Sequence, residues 1–135
     1  MSTLATGTME SKSWDQEPFA AHEGAPTLAR GFGTDRLAGD LEAESVWQGV
    51  TVARPDGSGQ FVGLHRVVGL LGGRRGSFVL QSHGTVAPEG VRGSWSVVPG
   101  TATGDLRGLR GEGGFAPAEG QKYSFTLSYD LEQAR

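Results

Sequence analysis

The chain has 135 residues, the size of one domain with one core, covering 1–135. With 12 basic and 15 acidic residues the formal net charge is −3, and no basic patch with interleaved aromatics occurs, so nucleic acid is not an expected partner. Cysteine is absent, which excludes disulfides, thiolate metal ligands and thiol nucleophiles and fits a reducing cytoplasm.

The opening MSTLATGTMESKSW lacks a basic region followed by an apolar stretch, so no secretion signal is expected. No apolar run reaches the roughly 18 residues that a membrane helix needs, and there is no basic amphipathic helix, so a membrane partner is not expected. Glycine accounts for 23 residues of 135, well above the usual ~7%, and is evenly spread. That distribution suits short strands joined by tight turns, or strands bent around a small barrel.

In chain order, residues 4–14 and 27–38 read as two extended stretches around Pro18 and Pro26. DLEAESVWQG (40–49) holds Leu41, Val46 and Trp47 at neither a clean helical nor a clean strand spacing. The β-branched Val50-Thr51-Val52 that follows decides for a strand over 41–53. Arg54-Pro55-Asp56-Gly57-Ser58-Gly59 offers Pro where a turn fixes φ and Gly where φ must be positive, a hairpin into a strand over 60–71. Gly72-Gly73-Arg74-Arg75 is a second glycine-led hairpin, leading into GSFVLQSHGTV (76–86). GSWSVVPG (93–100) is a strand halted by Pro99-Gly100. GDLRGLRGEGG (104–114) is too glycine-rich for a regular strand and reads as a loop near a barrel mouth, with a short extended piece at 107–114. In KYSFTLSYDL (122–131), Tyr123, Phe125, Leu127, Tyr129 and Leu131 alternate with polar residues, so one face is buried and the other wet. The sum is about eight strands, an all-β chain able to close an antiparallel barrel around one small ligand.

Four stretches together carry a family resemblance: GDLEAES (39–45), FVGLHRVVGLLGGRRGSFVLQSHGT (61–85), GSWSVVPGTATGDLRGLRGEGGF (93–115) and YSFTLSYDL (123–131). They resemble an uncharacterised family of small bacterial proteins whose fold is similar to the allene oxide cyclase barrel. The resemblance implies a single eight-stranded antiparallel β-barrel, calycin- or lipocalin-like in appearance, and supplies no activity. The family pattern has its histidine directly after the glutamine of the fifth strand, whereas Ser82 intervenes between Gln81 and His83. A one-residue shift on a strand moves a side chain to the other face.

Five residues are candidates for chemistry: Glu42, Glu44, Arg66, Gln81 and His83. On the fifth strand Phe78, Leu80, Ser82 and Gly84 share one face, while Val79, Gln81, His83 and Thr85 share the other. Polar residues are mostly exposed, which turns Gln81 and His83 to water; a hollow barrel would let the same face line its interior. On the preceding strand, apolar content points Val62, Leu64, Arg66 and Val68 to the core, where Arg66 would need Glu42 or Glu44 as a partner. The alternative leaves Arg66 at a rim, paired in water. A carboxyl at 42 or 44 among apolar groups would have a raised pKa suited to proton transfer near neutrality. Trp95, Tyr123, Phe125 and Tyr129 are candidate ligand-binding wall residues, or simply core. The three histidines have no zinc spacing, and no nucleophile elbow or dinucleotide fingerprint occurs, so neither a metal nor an organic cofactor is expected.

Two functions follow as expectations. One is a cofactor-independent isomerase or cyclase acting on a small hydrophobic substrate inside the barrel, mainly by restricting its conformations. The other is a non-catalytic carrier or sensor of a small hydrophobic molecule. A filled, purely structural barrel and a homo-oligomer both remain open.

Overall fold

An antiparallel ribbon with one apolar row per strand must bury that row, and a long ribbon can do so by curling until its two edges pair. The computed structural model, which describes residues 2–131, has this form. Its strands are β1 (Thr3–Ala20), β2 (Thr27–Gly39), β3 (Leu41–Ala53), β4 (Gly59–Leu71), β5 (Arg74–Ala87), β6 (Gly90–Val97), β7 (Thr103–Gly104), β8 (Leu109–Pro117) and β9 (Tyr123–Leu131). They lie in the order β4-β3-β2-β1-β9-β8-β6-β5, and β5 pairs back onto β4. Every pairing is antiparallel, so the result is a closed eight-stranded barrel with the two-residue β7 resting on the start of β5. Among the described residues the helical content is a single 3-10 turn at Glu119–Gln121, and no helix is long and apolar enough to cross a membrane.

The hairpins fall where turn chemistry puts them. Gly72 and Gly73, at φ 57° and 84°, make the tight β4–β5 turn. The expected loop at 104–114 is corrected: Gly111, Gly113 and Gly114 lie in β8, paired with Tyr129, Leu127 and Thr126 of β9. The glycines are there for close approach, because a Cβ at Gly113 would run into the Thr126 carbonyl. Glycine density at this point marks a crowded wall.

One end of the barrel is solid. Ala5, Leu37, Leu41, Val67, Leu71, Phe78, Leu80, Val97, Leu109 and Leu127 fill it, and Leu106, fully buried on the loop after β7, closes it from below. The alternation of β9 is as expected, with Phe125 and Leu127 buried and Ser124 and Thr126 exposed.

The expected facing of β4 is reversed. Phe61, His65 and Val67 are buried, while Val62, Leu64 and Val68 are about half exposed and Arg66 is exposed with them. Counting apolar residues picked the wrong face because the inward row is built from an aromatic, a glycine and a histidine. A narrow barrel wall needs that mixture of large and small more than it needs uniform aliphatics.

Candidate functional site

The other end of the barrel is hollow. A cavity of about 430 Å³ opens at the mouth, bounded by β1 from Met9 to Gln16, the C-terminal half of β3, the β3–β4 turn and the start of β4. Val86, Val91, Phe115 and Tyr123 complete its wall. The volume is within the range of small-molecule sites.

Five aromatic rings line the cavity, and they touch in sequence around the mouth. Trp14 stacks on Trp47 with centroids 5.3 Å apart, and Trp47 meets Phe61 edge-on at 5.9 Å. Phe61 stacks on Phe115 at 6.2 Å, and Phe115 meets Tyr123 edge-on at 5.9 Å. Trp47 can occupy the wall because its neighbours lack side chains: a Cβ at Gly63 would sit 2.5 Å from its Nε1. Trp14 is 56% exposed and caps this row from the overhanging half of β1.

Two titratable side chains face the cavity beside these rings. His65, on β4, is held at both ring nitrogens: Nδ1 is 3.2 Å from Ser45 Oγ, and Nε2 is 3.1 Å from Ser82 Oγ. Trp47 Nε1 donates to the same Ser82 hydroxyl at 3.2 Å. A neutral imidazole has one donor and one acceptor nitrogen, so His65 donates to one of the two serine hydroxyls and accepts from the other. Burial pushes the imidazole pKa down to about 4, so it is neutral at physiological pH.

Asp35, on β2, pairs in register with Ser11 and with Ser45, and so shares the inward face with both. Gly31 and Gly33 precede it on that face, and the space above them is taken by the Trp14 ring. Burial alone raises its carboxyl to about 6. It makes no hydrogen bond or ion pair with any described residue. The site therefore holds a carboxyl poised between protonation states, with Ser45 standing between it and a neutral histidine. No group of three or more potential metal ligands occurs among the described residues.

The residues singled out from sequence are distributed differently. Glu42, Glu44, Arg66, Gln81 and His83 are all exposed on the outer wall. Arg66 is not buried against Glu42 or Glu44: Glu42 accepts from the Gly39 amide at 3.3 Å, and Glu44 lies 3.7 Å from Arg36. Gln81 and His83 point outward because the opposite row of β5, Phe78-Leu80-Ser82, fills the interior. His83 borders a hollow on the outer surface, together with Phe19, Leu28, Val50 and Val62. Of the four wall candidates Tyr123 lines the mouth cavity. Trp95 and Phe125 are buried beneath it, where Trp95 packs edge-on against His65 at 5.6 Å and donates to the Thr126 carbonyl at 3.0 Å. Tyr129 lies toward the closed end, by Gly72.

Sequence reasoning passed over Asp35, Ser45, His65, Ser82 and the Trp14–Trp47 pair. The signal for Ser45, Trp47 and His65 is alternation: Leu41-Ala43-Ser45-Trp47 and Phe61-Gly63-His65-Val67 are each a row of mixed size on one face.

A crystal structure of a protein of unknown function from Shewanella oneidensis MR-1 is similar over 99% of this chain and 100% of its own. The TM-score is 0.80 and the identity 30%, and that protein is described as a member of the DUF3224 family. No curated protein matches the chain. The family model described as a protein of unknown function (DUF3224) matches residues 5–129, and the chain belongs to that family.

Proposed function

We propose that the barrel binds one small, largely apolar molecule in its mouth cavity. The observation that carries this reading is the cavity of about 430 Å³ with an aromatic wall and one convergent polar group set, Asp35 with Ser45 and His65. A filled barrel would have continued the aliphatic packing of the closed end. In this reading the protein is a carrier or sensor, and its ligand places an apolar body against Phe61 and Phe115 and a polar end at Asp35. Saturable binding of a neutral apolar fluorophore, with quenching of tryptophan emission, tests it. A Val86→Trp variant that keeps the barrel's circular dichroism should lose the binding. Absence of saturable binding to wild type overturns the reading.

A second reading is favoured by one observation, the carboxyl of Asp35 raised to about 6. A group at that value can take a proton from one carbon of a bound substrate and return it to another, a cofactor-independent isomerisation. His65, held neutral, would serve as a hydrogen-bond partner to the same substrate. Turnover that disappears in Asp35→Asn while fluorophore binding persists would favour the enzyme over the carrier.

A further inference from the structure

We propose that the natural ligand of the mouth cavity carries a positively charged nitrogen, a protonated or quaternary amine, held at Asp35 beside the Trp14 and Trp47 indoles. This rests on the reading of the cavity as a small-molecule site and names the ligand's class.

The charge balance of the lining is one-sided. Among the described residues Asp35, His65 and Tyr123 are its titratable residues, and neither lysine nor arginine contributes to it. Two basic side chains that flank lining residues in sequence are engaged with acids: Lys12 is 2.6 Å from Glu10, and Arg36 is 3.7 Å from Glu44. Among the described residues no cation of the lining neutralises Asp35, and a half-buried carboxylate of this kind gains from a counter-charge. A ligand cation supplies that charge. An anionic ligand would meet Asp35 with nothing to offset the repulsion. A metal ion would find one carboxylate and no second acidic ligand in the lining.

The walls point the same way. The indole is the strongest aromatic partner for a cation, and the cavity has two of them adjacent to the acid. Trp14 lies directly over Gly33 and Gly31, the two glycines that precede Asp35 on its face, since a Cβ at either would meet its ring. Indole rings, phenyl rings and a carboxylate lining one cavity describe a molecule with a cationic head and an apolar tail.

The test is an isosteric series at pH 8: phenyltrimethylammonium, tert-butylbenzene and benzoate, titrated against the full chain by tryptophan emission and calorimetry. The ammonium ion should bind at least tenfold more tightly than the hydrocarbon, and benzoate more weakly than both. In Asp35→Asn the ammonium advantage should fall below threefold while the hydrocarbon's affinity is unchanged. Because the wild-type ranking needs no variant, a folding defect could not mask the result. Equal binding of ammonium ion and hydrocarbon would overturn the inference and leave the apolar site standing; failure of all three to bind would overturn both.

Discussion

Nε2 of His65 lies 3.1 Å from the hydroxyl oxygen of Ser82, on the strand that closes the barrel against β4. That one hydroxyl also receives the Trp47 indole N–H, so it fastens the two largest polar side chains of the cavity floor to β5. Ser82 is fully buried, and the row it belongs to was read from sequence as ordinary core. Replacing it with alanine leaves two buried nitrogens short of a partner. Ser82→Ala should therefore lose about 1–3 kcal/mol, the usual penalty for orphaned buried polar groups. Urea unfolding checks this, with a lower midpoint at unchanged slope as the expected outcome and an unaltered midpoint as the contrary one.

Buried His65 and half-buried Asp35 give stability opposite dependences on pH. His65 falls from its ordinary 6.5 to about 4 on folding, so between those values the unfolded chain binds the extra proton and stability is lost as pH drops. Asp35 rises from 3.8 to about 6, so over nearly the same interval the folded chain binds the extra proton and stability is lost as pH rises. The slopes largely cancel in the wild type between pH 4 and 6. Asp35→Asn removes one of them, and its stability should then climb with pH across that window by at most about 1.4 kcal/mol per unit. Denaturant midpoints at half-unit pH steps decide the matter. A variant profile parallel to wild type would show that Asp35 is not buried as described.

How far the sequence reached can be judged strand by strand. β3, β4 and β9 were placed almost to the residue, because Pro-Asp-Gly, Gly-Gly and strict alternation are local signals that tertiary context reinforces. β8 reads from sequence only as a short extended piece at 107–114 within a loop, because glycine, locally a loop former, is also the residue a crowded barrel wall requires where two backbones nearly touch. The site was the least legible. On β4 both faces are plausible cores by composition, and only closure of the barrel decides that His65 goes in and Arg66 goes out. Asp35 is a lone acid between Thr34 and Arg36, and nothing local marks it; its meaning comes from Ser11 and Ser45 on the flanking strands and from a cavity that forms only when all eight strands meet. The five polar candidates, Glu42, Glu44, Arg66, Gln81 and His83, are conspicuous in sequence because they are polar, and most polar residues lie on the outer surface.

That outward placement has its own consequence. Glu42→Gln, Glu44→Gln, Arg66→Ala, Gln81→Ala and His83→Ala each alter an exposed side chain on the outer wall. The Arg36–Glu44 pair is exposed at both ends and contributes little. Each single variant should stay within about 0.5 kcal/mol of wild type and bind apolar probes in the mouth cavity with unchanged affinity. A binding loss of tenfold or more in any of them would move the functional site to the outer surface.

The seating of Trp47 gives the sharpest steric prediction. Its indole fits between β3 and β4 because positions 49 and 63 carry no side chain: a Cβ at Gly49 would sit 2.5 Å from Cζ2 and one at Gly63 would sit 2.5 Å from Nε1. Neither glycine has a positive φ, so the conflict is purely one of space. Gly63→Ala must push the indole away from Ser82, break the 3.2 Å hydrogen bond between them and disturb its stack on Trp14. Overpacking of this kind costs about 1–3 kcal/mol. The displaced ring should also leave its buried seat, shifting tryptophan emission to the red and weakening apolar-probe binding together with stability. Unchanged emission and stability in Gly63→Ala would mean that the indole does not occupy the wall of the mouth, and the floor of the proposed site would have to be redrawn.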